Sequence, residues 1–500
     1  MLDIVSGSGS PMCDRRTRRD FLRVGALGLG GLTLADLLRA GDRSPAAQGL
    51  LKGKSVILLF LGGGPSQYET FDPKPDGIEN FTGINGHIQT SLPDVRFGAD
   101  LPKIAKYAHR LSVVRSFQTN HSEHDGAHKQ IITADLTVKD GKPPTQPGIS
   151  PIFARVAGAL HPESGMFRHA IIPSTDRYIP GVSGFSGSYD GVVQGSQAAM
   201  LGETYAPFDV RVEMPSGTGG NGKQKSKKDE AVNPLLDNLE PRVSAMQIDG
   251  RLDLLKQLDN LDRRMDSTKV MDGMDQYGRQ ALELMRSGAV RKALDLNLED
   301  RTTFKSYDTE QFRNWSVDDN SKFKRELPSI GISLGRQLLL ARRLCEAGCG
   351  FVTVVHANWD FHARKGVPNV PEGTSVLAPP FDHAVAAFLE DVKQRGLEDK
   401  ILLAITGEFG RSGLDKNAGR HHHPKICPLV FAGGGLKHGR IVGQSNPKGS
   451  EPATTPYTID DFQSTIFHTL LDVNRVRLDT ELPPVVLDRI GRGKPIAEMF

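Results

Sequence analysis

Three continuous apolar runs limit the folds that this chain can adopt. They are SVILLFL at residues 55–61, FVTVV at 351–355 and ILLAIT at 401–406. A strand that is apolar at every position is typical of a parallel sheet whose two faces are both covered by helices. Segments with apolar residues three or four positions apart stand between these runs, so predicted strands alternate with predicted helices. The pattern predicts an α/β protein with a doubly wound, mostly parallel sheet sandwiched by helices.

Further strands and helices are predicted around the three runs. Strands are expected at 110–117, near Ile171 and in the segment CPLVFAGGG, and helices at 124–133 and in the segment TIDDFQSTIFHTLLDV. Another helix, ending at Gly348, has one apolar face made of Leu334, Leu338, Ala341 and Cys345. Asp382 is predicted to cap a helix, because an aspartate side chain accepts hydrogen bonds from the free N–H groups of a first turn.

The N-terminal segment has the features of an export signal. A twin-arginine motif, TRRDFLR, occupies residues 17–23, and the apolar, glycine-rich segment VGALGLGGLTLADLL follows it. This apolar segment is shorter than the ~18–20 residues that a membrane-spanning helix needs, which favours a signal over an anchor. We expect residues 1–47 to be a twin-arginine signal. The protein would then be periplasmic or extracellular, with membrane contact only during export.

Residues 50–500 are expected to form one domain with two insertions. A glycine- and lysine-rich stretch predicts a flexible insertion at about 213–232, and helical periodicity predicts a helical insertion at about 240–325. The formal net charge of +3 over 500 residues argues against nucleic acid as a partner, since such proteins carry a strongly basic surface. Four cysteines are too few for a disulfide framework.

Histidines and carboxylates follow the predicted strands, at the sheet edge where α/β proteins bind ligands. Eight of the fifteen histidines lie in three such segments, with three in 121–128, two in 356–362 and three in 421–423. One histidine alone is more often structural, but three groups converging on one edge predict a metal site. Imidazole and carboxylate ligands suit Zn²⁺, Mn²⁺ or Fe²⁺ better than Ca²⁺. We expect a divalent metal, zinc or manganese.

Two arginines lie close to these segments in the chain. Arg411 follows the third apolar run, and Arg420 precedes the three consecutive histidines. A guanidinium group can bind an oxyanion through two parallel hydrogen bonds, so both arginines are candidates for substrate binding. The alternative is that each arginine forms an ion pair at the protein surface.

The chain also resembles a known family. Its motifs are similar to those of an exported bacterial family, the domain of unknown function 1501 family, which in turn resembles the alkaline phosphatase and sulfatase superfamily. The similar segments occur in order over almost the whole chain: RRDFLRVGALGLGGL, GGGPSQYETFDPKP, LLLARRLCEAGCGFVTV, NWDFH, FDHAVAAFLEDVKQRG, GEFGRS and AGRHHHP. This resemblance implies an alkaline-phosphatase-like fold with a helical insertion.

The resemblance to the superfamily implies roles for individual residues. Asp360 and His362 fall where the superfamily has an aspartate and a histidine that bind one metal. Glu408 falls on another metal-binding aspartate, although Phe409 stands where the superfamily has the histidine that follows it. His422 matches a metal-binding histidine late in the chain. The resemblance therefore implies metal ligation by these four polar residues.

Two departures from the superfamily pattern concern the reaction. The first predicted strand ends at Gly62 and Gly63, where the superfamily has a metal-binding aspartate, and Glu69 and Asp72 are candidate replacements. The nucleophile motif of sulfatases is missing, and similarity in the segment IITA places His124 near the position of that nucleophile. His124 is therefore a candidate nucleophile, general base or metal ligand.

These observations predict an exported metal-dependent hydrolase that acts on a phosphate or sulfate ester of a small molecule or polysaccharide. The predicted site residues fall into two groups: the metal ligands Asp360, His362, Glu408 and His422, and the catalytic residues His124, Arg411 and Arg420. The alternative is an exported binding or assembly protein that keeps the phosphatase-like fold without catalysis. The missing aspartate and the missing nucleophile motif favour this alternative.

Overall fold

The computed structural model describes residues 49–173, 190–202, 205–210, 288–312, 322–364 and 367–500. The predicted export signal, the predicted flexible insertion and most of the predicted helical insertion lie outside these residues. In the described helices we find no segment with the length and apolarity needed to cross a membrane.

Strands of the described residues form one large sheet and two small ones. In chain order they are β1 (Ser55–Leu61), β2 (His87–Gln89), β3 (Arg96–Gly98), β4 (Leu111–Val114), β5 (His169–Ile172), β6 (Phe208–Asp209), β7 (Phe351–His356), β8 (Ile401–Thr406), β9 (Gly410–Leu414), β10 (Arg420–His423), β11 (Leu429–Gly433) and β12 (Arg440–Val442). The large sheet has the order β12-β4-β11-β8-β1-β7-β5-β6, while β2 pairs with β3 and β9 with β10. Only β11 runs antiparallel to its neighbours in the large sheet, so the predicted mostly parallel sheet is confirmed.

Helices cover both faces of this sheet. In chain order they are α1 (Pro102–Lys106), α2 (His124–Thr133), α3 (Ile149–Ala157), α4 (Asp190–Gly195), α5 (Ala289–Leu294), α6 (Arg301–Ser306), α7 (Lys322–Glu346), α8 (Val370–Gln394), α9 (Ile459–Leu470), α10 (Val473–Val476) and α11 (Pro484–Gly491). Short 3₁₀ turns connect several of them. The described part of the predicted helical insertion contains α5, α6 and the start of α7.

Two hydrophobic cores, one on each face of the sheet, explain why β1 is apolar throughout. Leu59 points into a core that contains residues of α7 and α8, and Leu58 points into a core that contains residues of α2, α3 and α9. Each fully buried leucine or valine contributes about 1.5–3 kcal/mol relative to an exposed one. The predicted apolar face of α7 is buried as well, through Leu334, Leu338, Ala341 and Cys345.

The predicted helix cap at Asp382 is wrong. The helix α8 begins earlier, where Asn369 and Glu372 form a reciprocal capping box. Asp382 therefore lies inside α8, and its carboxylate accepts hydrogen bonds from the backbone N–H groups of Lys103 and Ile104. Its side chain does cap a helix, but that helix is α1, which is distant in the chain.

Candidate metal centre

The parallel strands bring the predicted polar segments to one edge of the sheet. β1, β4, β7 and β8 run in the same direction, so their carboxyl ends lie at the same edge. The segments after these strands carry Gly63, His124, Asp360 and Glu408. His422 reaches the same place from β10, in the hairpin that follows β8. The common direction of these strands is therefore what brings the predicted site residues together.

Three predicted metal ligands form a cluster that we name the outer group: Asp360, His362 and His422. Asp360 Oδ1 lies 2.8 Å from His362 Nε2 and 3.5 Å from His422 Nε2. The two Nε2 atoms are 2.8 Å apart. A carboxylate oxygen and two imidazole nitrogens that converge in this way form a donor set suited to Zn²⁺ or Mn²⁺. The residues present thus fit the metal that the sequence predicts.

Contacts behind the outer group orient its ligands. His422 Nδ1 lies 2.6 Å from the Ser122 carbonyl oxygen, which can only accept, so Nδ1 carries a proton and Nε2 carries the lone pair. The Phe409 ring packs beside the His422 ring, with centroids 4.4 Å apart. A metal-binding histidine is commonly oriented by such a hydrogen bond through its other ring nitrogen.

A second cluster, which we name the inner group, lies deeper: His124, His128 and Glu408. Glu408 Oε1 lies 2.7 Å from His124 Nδ1 and 3.1 Å from His128 Nε2. It also accepts a hydrogen bond of 2.8 Å from the backbone N–H of Gly63. Both His128 and Glu408 are fully buried. These contacts offset the cost of burying a carboxylate away from water.

His124 lies between the two groups. Its Nδ1 atom faces Glu408, while its Nε2 atom lies 3.6 Å from Asp360 Oδ2. Burial lowers the pKa of His124, but interactions with Asp360 and Glu408 outweigh burial and raise this pKa to about 9. A dication held by the outer group would repel the imidazolium and oppose this increase.

Both acidic residues are held in the ionised form. Burial raises the pKa of Asp360, but Arg411 and the neighbouring histidines lower it well below its usual range. Burial likewise raises the pKa of Glu408, and His128 and His124 together lower it below its usual range. The site therefore presents two carboxylates at neutral pH, as metal ligation requires.

All three guanidinium nitrogens of Arg411 donate hydrogen bonds to oxygen atoms of the protein itself. Its guanidinium donates to Asp360 Oδ1 at 2.6 Å, to the Gly64 carbonyl at 2.7 Å and to the Arg420 carbonyl at 3.0 Å, and also to the Gly63 carbonyl. Gly63 and Gly64 have positive φ angles, and a Cβ on Gly64 would lie 2.4 Å from the Phe409 ring. Arg411 thus holds Asp360 against this tight turn. These contacts differ from the oxyanion binding that was predicted for Arg411.

Arg420 faces away from both groups. Its guanidinium donates to Glu69 Oε1 at 2.8 Å and to the carbonyl oxygens of Thr82 and Ser412, and it lies over the Tyr68 ring. The pairing of β10 with β9 shifts register between positions 420 and 422. A bulge of this kind re-aims side chains that would otherwise share a face. Arg420 is therefore a buried structural residue, and the oxyanion role predicted for it is not supported by its contacts.

The two carboxylates considered as replacements for the missing aspartate lie elsewhere. Glu69 pairs with Arg420, as described above. Asp72 lies 3.3 Å from Lys74 Nζ and 3.4 Å from Arg115 Nε. Neither residue belongs to the outer or inner group. At the end of β1, the backbone N–H of Gly63 takes part in the site instead.

Replacing Arg420 with methionine should strongly destabilise the protein. The side chains of Arg420 and Glu69 are each 1% exposed, so the substitution would leave a buried, unpaired carboxylate. We expect a loss of about 3–5 kcal/mol in the free energy of unfolding, measured by denaturant titration. The double variant Arg420→Met, Glu69→Leu should recover part of this loss. A single variant as stable as the parent would contradict the structural role.

His128 belongs to the inner group, and the sequence did not single it out among the candidate site residues. The segment HDGAH places His124 and His128 four positions apart, and in a helix such residues share one face. That spacing was the available signal. The neighbours of His422 stay outside both groups: His421 is largely exposed near Asp415, and His423 donates a hydrogen bond to the Ser450 carbonyl.

The chain belongs to the family described as "Protein of unknown function (DUF1501)", whose model matches residues 53–487. No curated protein matches the sequence significantly.

Several solved structures are similar in fold. The lipoteichoic acid synthase LtaP from Listeria monocytogenes is 8% identical, with 87% of this chain and 76% of that chain covered and a TM-score of 0.35. A phosphonate monoester hydrolase from Silicibacter pomeroyi is 12% identical, with 89% and 76% covered and a TM-score of 0.30. The zinc-bound C-terminal periplasmic domain of EptC from Escherichia coli is 8% identical, with 84% and 85% covered and a TM-score of 0.32. Similarity at this level identifies neither a substrate nor a reaction for this chain.

Proposed function

We propose that this chain is an exported metal-dependent hydrolase of phosphate or sulfate esters. The observation that carries the proposal is the outer group, in which Asp360, His362 and His422 direct a carboxylate oxygen and two imidazole nitrogens at one another. These three residues would hold zinc or manganese. When bound, such a metal polarises an ester oxygen and stabilises the charge that develops on it.

His124 is the residue that we propose acts on the substrate. In the neutral ring, which a dication held by the outer group would favour, Nδ1–H donates to Glu408 and the lone pair lies on Nε2, the atom that faces the outer group. A carboxylate that holds a histidine in this tautomer is a common arrangement for a general base or a nucleophile. Nε2 can therefore take the proton of an attacking water or attack the ester itself. Trapping of a phosphoryl-histidine would distinguish attack by Nε2 from proton abstraction.

An ester panel tests the proposal. The protein is loaded with zinc or manganese and incubated with p-nitrophenyl phosphate, bis-p-nitrophenyl phosphate and p-nitrophenyl sulfate. We expect turnover of at least one ester, loss of turnover with a chelator and recovery when the metal is added back. Metal-loaded protein that is inert towards all three classes would contradict hydrolase activity.

The second candidate is an exported binding protein without catalysis. It is favoured by the end of β1, where Gly63 contributes a backbone N–H to Glu408 and no metal-binding carboxylate side chain. Calorimetric titration with phosphate and sulfate distinguishes the two candidates. Anion binding that depends on His422, in a protein with no turnover of any ester, would support the binding protein.

Export depends on the twin-arginine motif in this proposal. The variant Arg18→Lys, Arg19→Lys should accumulate inside the cell, because both arginines of the signal are changed while the charge is kept. Fractionation and immunoblotting measure the location. The matched control changes the preceding pair, Arg15→Lys and Arg16→Lys, and should be exported as the parent is. Export of both variants would contradict a twin-arginine route.

A further inference from the structure

We propose that the guanidinium of Arg168, together with the imidazole of His161, binds a small oxyanion at the edge of the sheet opposite the metal centre. Arg168 directly precedes β5, and its carbonyl accepts the N–H of Phe351 at the start of β7. The outer group lies beyond the other end of these parallel strands. β7 alone spans about 17 Å at 3.3 Å per residue, so the two places are separate. The inference is independent of the proposed function.

Arg168 is a buried cation without a counter-ion among the described residues. Six arginines in this part of the chain are buried. Five of them pair with a carboxylate of the protein: Arg110 with Glu398, Arg342 with Asp391, Arg411 with Asp360, Arg420 with Glu69 and Arg489 with Asp460. Arg168 is 8% exposed, and no described carboxylate forms an ion pair with it. A buried charge is costly to leave unpaired, which points to a partner from solvent.

The hydrogen-bonding capacity of Arg168 is unused as well. Its Nε atom is buried without a partner, and Nη1 and Nη2 donate to none of the described residues. Burial lowers the pKa of Arg168 to about 10, so the group is still charged at neutral pH. A guanidinium presents parallel N–H groups that match the oxygen atoms of phosphate or sulfate. The part of the side chain that remains exposed gives a small anion access from solvent.

A short antiparallel turn places His161 beside Arg168. Leu160 and Phe167 form a bridge, and the backbone N–H groups of His161 and Arg168 each bond across to the other strand. His161 and Arg168 are therefore diagonal neighbours, with side chains on the face opposite to Leu160 and Phe167. Long side chains at such positions are within reach of each other. Burial lowers the pKa of His161 and Arg168 lowers it further, as expected for a nearby cation.

His161 can donate a hydrogen bond to the same anion. Its Nδ1 atom accepts from the backbone N–H groups of Glu163 and Ser164, both at 3.3 Å, so the neutral ring carries its proton on Nε2. Cδ2, the ring atom next to Nε2, lies against Gly348, where an added Cβ would be 2.8 Å away. Burial raises the pKa of the adjacent Cys349 thiol to about 12, so this thiol is neutral and does not repel an anion.

Thermal unfolding of the metal-free protein at rising phosphate concentration tests the site. An anion that binds only the folded state raises the unfolding midpoint, and sodium chloride at equal ionic strength controls for screening. We expect phosphate, and likewise sulfate, to raise the midpoint of the parent by at least about 1 °C and to leave that of Arg168→Met unchanged. Without phosphate, Arg168→Met should be at least as stable as the parent, because the variant removes an unpaired buried charge.

Two control variants locate the effect. Arg110→Met removes a buried arginine that is paired with Glu398, so it should be destabilised equally at every phosphate concentration. His422→Ala should keep the full response, since it changes the opposite edge of the sheet. A response lost in His422→Ala or kept in Arg168→Met would overturn the proposal. A parent that responds to neither anion would show that water or the protein itself satisfies Arg168, and would also overturn it.

Calorimetric titration with phosphate measures the affinity and tests His161 separately. His161 is only half-buried, so His161→Ala should fold as the parent does. We expect this variant to bind phosphate about tenfold more weakly, because one hydrogen bond to a charged ligand is lost. An unchanged affinity would overturn the assignment of His161 to the site.

Discussion

His422→Ala is expected to abolish metal binding at the outer group and to lower kcat/KM by about 10³-fold or more. His422 Nε2 is one of three converging donors, and loss of even a hydrogen-bonding partner behind a metal ligand costs about 10–100-fold in affinity. A metal contributes several kcal/mol of transition-state stabilisation, and each 1.36 kcal/mol corresponds to a factor of about ten in rate. Metal content by mass spectrometry and kcat/KM for the best ester measure the two effects.

His421→Ala is the matched control. The His421 side chain is 54% exposed, so its removal should leave metal content and rate within about twofold of the parent. If His422→Ala keeps both its metal and its turnover, the outer group is not the metal site that supports the reaction.

His124→Gln is expected to lower turnover by about 10²–10⁴-fold while the metal of the outer group is retained. This range is typical for loss of a positioned general base. Asp360, His362 and His422 remain unchanged in the variant, so their donor atoms still converge. Single-turnover rates and metal content are measured on the same preparation.

The control for His124→Gln is His109→Ala, an exposed histidine at the opposite edge of the sheet. A variant that loses its metal together with its activity would show that His124 is a ligand of the outer group instead of the acting residue. A variant with parental turnover would remove His124 from the reaction.

The sequence predicted the sheet well because its strands are buried on both faces. The apolar runs at 55–61 and 401–406 coincide with β1 and β8, and the predicted helix at 124–133 coincides with α2. Patterns of this kind depend only on local spacing. The predicted strand at 110–117 is longer than β4, since Arg115 already turns away to bond with the Phe71 carbonyl.

The hairpin of β9 and β10 could not be predicted from its own residues. The segment GRSGLDKNAGRHHH has no apolar alternation, and its backbone is fixed by distant contacts such as the Leu414 N–H bond to the Asn80 carbonyl. The contacts of Arg411 and Arg420 could not be predicted from neighbouring residues either. Whether a guanidinium is free for substrate depends on carbonyl groups more than three hundred positions away, such as those of Gly64 for Arg411 and Thr82 for Arg420.

Anomalous diffraction from crystals grown with zinc or manganese, recorded at the absorption edge of the metal, tests the central claim most directly. We predict a peak bounded by the Asp360 carboxylate and the Nε2 atoms of His362 and His422, with those two nitrogens farther apart than 2.8 Å, their separation here. No peak at this position, with the two nitrogens still within hydrogen-bonding distance of each other, would contradict the account.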